Sequence, residues 1–206
     1  MPAKTEQEEF WGGEFGREYT ARNQGERLLA SNTAFFAKIL SRTREVRSVL
    51  ELGANRGLNL MAIKCLIPEV FLSAVEINDA AVQELKGWGG AREVFHASIL
   101  DFKPERLWDL VFVKGVLIHI NPDFLEEVYQ ILYDASSKYV LIAEYYNPTP
   151  VEIPYRGHRN RLFKRDFAGE FMKKFPQIRL VDYGFVYHGD SNFPQDDITW
   201  FLMEKR

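Results

Sequence analysis

Short continuous apolar runs alternate along the chain with stretches whose apolar residues recur three and four positions apart. This pattern predicts strands alternating with helices. Gly25 to Thr43 predicts an amphipathic helix, with Leu28, Leu29, Phe35, Phe36, Ile39 and Leu40 on or near one face. Val46 and then Val49, Leu50 and Leu52 form a buried parallel strand that stops at Gly53. After Gly57 the period becomes helical, through Leu58, Met61, Ala62, Cys65 and Leu66. A second strand runs from Val70 to Val75 and ends at Glu76, and Asn78-Asp79 caps a helix to about Leu85, stopped by Gly87, Gly89 and Gly90. Val94–Ala97 and Trp108–Val113 are the third and fourth strands. Asn121-Pro122-Asp123 starts a helix to about Ala135, with Asn as N-cap and Pro at the first helical position. Tyr139–Ala143 is a fifth strand.

The segment 145–161 carries three prolines and is expected to be non-helical. A helix follows over about Asp166–Lys174, and Arg179–Tyr187 and Ile198–Glu204 close the chain as two strands without a helix between them, hence an antiparallel pair. This alternation is that of an α/β fold with a mostly parallel sheet and helices on both faces, its ligand at the carboxyl ends of the strands where strand order reverses. At 206 residues one domain accounts for the whole chain.

Residues 1–23 break the pattern. They are polar but carry Phe10, Trp11, Phe15 and Tyr19 between Gly12, Gly13 and Gly16. Two readings stand side by side: a glycine-rich lid that closes over a ligand with Trp11 and Tyr19 against the substrate, or an arm that packs its rings on the domain surface. The start of the chain lacks the charged-then-apolar layout of a signal peptide, and no run approaches about 18 apolar residues, so a cytoplasmic protein without membrane contact is expected. A net charge of −3 and a pI near 5.9 offer no basic field for nucleic acid. The single cysteine, Cys65, is expected to be a buried apolar residue, and no metal site is expected.

The chemistry gathers at the first strand–turn–helix, Glu51-Leu52-Gly53-Ala54-Asn55-Arg56-Gly57. Glycine lets the chain reverse tightly and leaves the backbone open to a ligand. Roughly 20 residues on, Glu76 stands at the tip of the second strand, where a carboxylate accepts hydrogen bonds from both hydroxyls of a ribose. A dinucleotide fingerprint has a second glycine where Asn55 stands. The turn therefore suits S-adenosylmethionine (SAM), which lacks a pyrophosphate, better than NAD.

These segments, E-L-G-A-N-R-G-L-N-L (51–60), A-V-E-I-N (74–78), A-S-I-L-D-F (97–102) and W-D-L-V-F-V-K-G-V-L-I-H-I-N-P-D (108–123), resemble a SAM-dependent methyltransferase of the Rossmann-like class. More narrowly, F-W-G-G-E-F-G-R-E-Y-T-A-R-N (10–23), K-G-V-L-I-H-I-N-P and E-Y-Y-N-P-T-P-V-E-I-P-Y-R-G (144–157) resemble the methylase family associated with pseudaminic acid biosynthesis. The resemblance implies a seven-stranded sheet with a reversed last strand. It implies that Glu51, Gly53, Asn55 and Gly57 hold the methionine part and Glu76, followed by Ile77, the ribose. Ser98 and Ile99 would flank the adenine, with Lys114 and Gly115 beneath the ligand. Where Ser98 stands many class members have an acid, and a serine makes a weaker contact to the adenine amine.

Methyl transfer needs the acceptor held in line, and a hydroxyl acceptor also needs a base within hydrogen-bond reach. His119, just after the fourth strand, is the first base candidate, against the alternative that it packs the turn before the next helix. Glu144, Tyr145 and Tyr146 follow the fifth strand and could bind the acceptor, although Glu144 could equally serve a nearby amide. His188 and Asp190 fit a hairpin turn. Arg156, His158, Arg159, Arg161, Lys164 and Arg165 form a basic cluster, either a solvated loop or a site for a carboxylate or phosphate. With Arg156 and Arg159 as ligands to that anion, the expected substrate is a small anionic molecule, a nonulosonic acid sugar or its nucleotide-linked precursor. The alternatives are another small metabolite, or a non-catalytic SAM-binding partner of a glycan enzyme.

Overall fold

The computed structural model, which describes residues 3–22 and 25–206, opens with three helices, α1 (Glu6–Gly12), α2 (Glu14–Arg22) and α3 (Glu26–Leu40). The alternating part follows as β1 (Ser48–Leu52), α4 (Leu58–Leu66), β2 (Phe71–Glu76), α5 (Asp79–Trp88), β3 (Glu93–His96), β4 (Trp108–Lys114), α6 (Leu125–Ala135) and β5 (Ser136–Glu144). A two-residue hairpin, β6 (Val151–Glu152) and β7 (Phe163–Lys164), precedes α7 (Phe167–Lys174), β8 (Ile178–Val186) and β9 (Ile198–Lys205).

Seven strands form one sheet in the order β3-β2-β1-β4-β5-β9-β8. β1 to β5 run parallel, and β9 lies antiparallel to both β5 and β8. The sheet therefore has the expected reversed last strand. Alternate residues of the central strands serve opposite faces. Val49, Leu110, Phe112, Leu141 and Trp200 pack under α3, α4 and α5, through Phe36, Ile39, Leu60, Ile63 and Leu85. Leu50, Val111, Val113, Val140 and Met203 pack under α6 and α7, through Leu125, Val128, Leu132 and Phe171. From β1 the order steps outward to β2 and β3 on one side and to β4 and β5 on the other, so the switch point lies between β1 and β4.

Three expectations need correction. The N-terminal segment is helical, with Thr5 and Glu8 closing a capping box at the start of α1. Cys65 is exposed: α4 buries Leu60, Ala62 and Ile63, so its inward face is rotated from the one expected. That helix is apolar at most positions, and periodicity alone does not set its face. Helix α5 also runs through Gly87, and Gly89, at φ 71°, closes it. The segment 145–161 is non-helical as expected, but it includes strand β6.

Candidate functional site

The β1–α4 turn uses three left-handed residues in a row of five, Gly53 (φ 76°), Asn55 (φ 47°) and Gly57 (φ 84°). A Cβ on Gly53 would lie 2.7 Å from Val116, on the loop after β4, so the two loops meet only because the position is bare. Gly57 serves packing instead, since a Cβ there would lie 2.5 Å from Leu85 of α5. Above the turn, at the β1/β4 switch point, opens a cavity of about 390 Å³, within the range of small-molecule sites.

Glu76 lines this cavity at the tip of β2. Its carboxylate accepts from the backbone N–H of Asn55 at 2.7 Å and of Asn78 at 2.8 Å, which ties the first turn to the start of α5. Burial raises its pKa, and those amides oppose the rise. Glu51 lies one step behind the wall, only 1% exposed. One of its oxygens accepts from Asn59 Nδ2 at 2.6 Å, while the other has no partner. Burial pushes its pKa up to about 8. Asn59 lines the cavity, and its own buried oxygen is likewise unpartnered. Lys114, on the wall at the end of β4, has its pKa lowered by burial, against the attraction of Glu51, Asp196 and Glu144. The site thus sets an unpartnered amide oxygen on Asn59, the buried Glu51 carboxyl behind it and the Lys114 side chain close together, the complement of an ammonium beside a carboxylate.

The N-terminal helices roof the cavity with Gln7, Glu8, Trp11, Tyr19 and Thr20. Thr20 donates to the side chain of Asn55 at 2.8 Å, and Asn78 Nδ2 donates to the carbonyls of Trp11 (3.0 Å) and Gly13 (3.2 Å). Ser98, after β3, donates its hydroxyl proton to Glu8. Lys4 reaches Asp101 at 2.8 Å, which takes up that acid outside the cavity wall. Asn55, where a dinucleotide site would leave bare backbone, is occupied in holding the N-terminal helices.

His119 also lines the cavity. Its Nδ1 lies 2.5 Å from the carbonyl oxygen of Arg161, which accepts its proton and leaves the lone pair on Nε2. Burial lowers the ring's pKa to about 4, so it is neutral at pH 7. Trp11 and Tyr155 enclose it, with ring centroids 4.5 Å and 5.0 Å away. The indole N–H of Trp11 and the side-chain oxygen of Gln7 are buried without partners.

Of the sequence-derived site residues, Trp11, Tyr19, Gly53, Asn55, Glu76, Ile77, Ser98, Ile99, Lys114, Gly115 and His119 share this one cavity. Glu144 does not line it. Its carboxylate accepts from the amides of Val116 and Leu117, each at 2.9 Å, and of Ile118 at 3.5 Å, so it shapes the loop that forms the wall. Tyr145 is half-buried beside Lys164, whose ammonium lies 5.0 Å from its ring centroid. Tyr146 packs outside the wall against Phe201. Arg156 and Arg159 are exposed on the 155–161 loop, where Arg156 stacks over Tyr155 at 5.8 Å. Asp190 caps the turn before β9, whereas His188 reaches the cavity rim and binds Asp197 at 2.8 Å.

Glu8, Gln7, Asn59, Tyr155 and Asp196 escaped sequence reasoning. A signal for the first two existed. Thr5-x-x-Glu8 is a capping box, and Trp11, Phe15 and Tyr19 stand four apart, which is helical spacing.

No family model and no curated protein matches the chain. Solved structures do. The plantazolicin methyltransferase BpumL in complex with SAH superposes with a TM-score of 0.67 at 12% identity, over 97% of this chain and 94% of that one. The sugar N-methyltransferase KedS8 from Streptoalloteichus gives 0.65 at 14%, over 95% and 94%. DesVI of Streptomyces venezuelae gives 0.63 at 12%, over 93% and 97%. The chain therefore has the Rossmann-like fold of these methyltransferases.

Proposed function

We propose that the protein is a cytoplasmic SAM-dependent methyltransferase for a small molecule, with S-adenosylhomocysteine (SAH) as product. One observation carries the cofactor reading: Glu76, the unpartnered oxygen of Asn59 and the Lys114 ammonium converge on one cavity at the switch point, with the Glu51 carboxyl directly behind Asn59. Glu76 would take the ribose hydroxyls. Asn59 and Glu51 would accept from the cofactor's ammonium, with Lys114 against its carboxylate. Ile77, Ser98 and Ile99 would flank the adenine, and Gly115, open where a Cβ would stand, leaves room for the chain between.

Bound SAM supplies an electrophilic methyl group on a sulfonium. The protein's part is to hold the acceptor, exclude water and, for a hydroxyl, take a proton. Trp11, His119 and Tyr155 form an aromatic enclosure at the Lys114–Val116 end. His119 presents its Nε2 lone pair there as the base, and the Trp11 indole N–H and the Gln7 oxygen offer a donor and an acceptor to polar substituents of the substrate.

The acceptor we favour is an anionic nonulosonic acid of the pseudaminic acid type, or its nucleotide-linked precursor. Arg156 and Arg159 on the loop that carries Tyr155 would bind its carboxylate or phosphate. The resemblance of segments 10–23 and 144–157 supports this reading, as does the fold shared with a sugar N-methyltransferase. Replacing Arg156 and Arg159 by alanine should raise KM for such an acceptor while SAH affinity stays constant. An unchanged KM would reject the anionic acceptor.

A further inference from the structure

We infer that Glu8, on the N-terminal lid, reads the exocyclic amine of the cofactor's adenine, so that the lid is a working part of the cofactor site. The inference rests on the SAM reading above. A ligand with its ribose on Glu76, at the tip of β2, and its tail on the β1 turn must direct its base the other way, toward the tip of β3. The residues lining the cavity there are Ser98, Ile99 and Leu100, and the carboxylate facing them is Glu8, 8% exposed. Asp101 stands nearby in sequence, but it pairs with Lys4 and is not part of the wall.

The bonding of Glu8 leaves one acceptor position open. Its Oε2 accepts from the backbone N–H of Lys4 (2.5 Å) and of Thr5 (3.2 Å), which fills that oxygen. Among the described residues, its Oε1 accepts only the hydroxyl proton of Ser98. Ser98 in turn accepts from the Leu100 amide at 3.0 Å, which fixes its proton on Glu8. One lone pair of a carboxylate oxygen therefore remains at the base end, and an amine N–H is its natural partner. The same carboxylate closes the capping box of α1, so the purine contact and the docking of the lid depend on one side chain.

Calorimetric titration with SAH and with its 6-deamino analogue, which has hydrogen in place of the amine, tests this on three proteins. The wild type should prefer SAH at least about tenfold, the range for a hydrogen bond to a charged group. In Glu8→Gln the amides of Lys4 and Thr5 hold the carboxamide oxygen and turn its NH2 toward the purine amine, so the preference should vanish or reverse. Ser98→Ala keeps the carboxylate and should keep the preference. A wild type indifferent to the amine, a Glu8→Gln protein with the wild-type ratio, or a Ser98→Ala protein without it would overturn the inference. If Glu8→Gln fails to fold, the other two proteins still decide. A wild type that binds neither nucleoside would instead overturn the cofactor reading itself, and this inference with it.

Discussion

Replacing Glu51 by glutamine should make the protein more stable and a poorer binder. The carboxyl is 1% exposed, and burial raises its pKa from the ordinary 4.5 to about 8. The unfolded chain ionises near 4.5, whereas the folded chain holds the proton until about pH 8. The stability from this group is therefore fully present below pH 4.5 and is lost progressively as pH rises through 8. At 1.36 kcal/mol per pH unit, that interval corresponds to about 5 kcal/mol, a large share of the stability of an ordinary domain. Glutamine keeps the shape and an oxygen for Asn59 Nδ2 but has no proton to lose. Wild type and variant should melt together near pH 4.5 and diverge up to pH 8–9, the variant gaining about 10–20 °C for a chain of this size. Circular dichroism melts across that range measure it. A difference independent of pH, or a variant less stable at pH 8, would refute the reasoning. SAH should meanwhile bind the variant at least about tenfold more weakly, because glutamine cannot give up a proton and face the cofactor's ammonium as a carboxylate.

Three further outcomes follow from the same geometry. Glu144→Ala leaves the Val116 and Leu117 amides without an acceptor and should cost about 2–6 kcal/mol in urea unfolding, with Glu144→Gln costing much less; equal losses would show that the cap is unimportant. His119→Asn should lower kcat for a hydroxyl acceptor by about 10²–10⁴ with SAH affinity intact. Because burial holds that ring's pKa near 4, the wild-type kcat profile should lack a histidine inflection between pH 5 and 8, and one that disappears in the variant would contradict the placement. Cys65 should react fully with a thiol reagent in the native protein without loss of SAH binding, and a need for denaturant would contradict its exposure.

The sheet was legible because each of its central strands is a short apolar run ended by glycine or a charge, and the β1 turn was legible because its three positive-φ residues fall on two glycines and an asparagine. The strand-end half of the cavity followed, since strand ends converge wherever the strand order reverses. The N-terminal segment was not read as helix because Gly12, Gly13 and Gly16 obscured the spacing of Trp11, Phe15 and Tyr19. Gly16 is there for close packing: a Cβ on it would collide with the Trp11 carbonyl and Asn78. Contacts between distant segments left no local trace. The Glu8–Ser98 bond spans 90 residues and the Glu144 cap 28, so neither is expressed in any periodicity. The face of α4, and with it Cys65, was lost because almost every position of that helix is apolar.

The central claim, a SAM site on Glu76, is tested most directly by calorimetric titration with SAH, with NAD as comparator and Glu76→Ala, shown to be folded by its melt, as control. Micromolar binding of SAH that the substitution abolishes, with no response to NAD, is the predicted result. Binding of NAD in its place, or SAH affinity indifferent to Glu76→Ala, would contradict it.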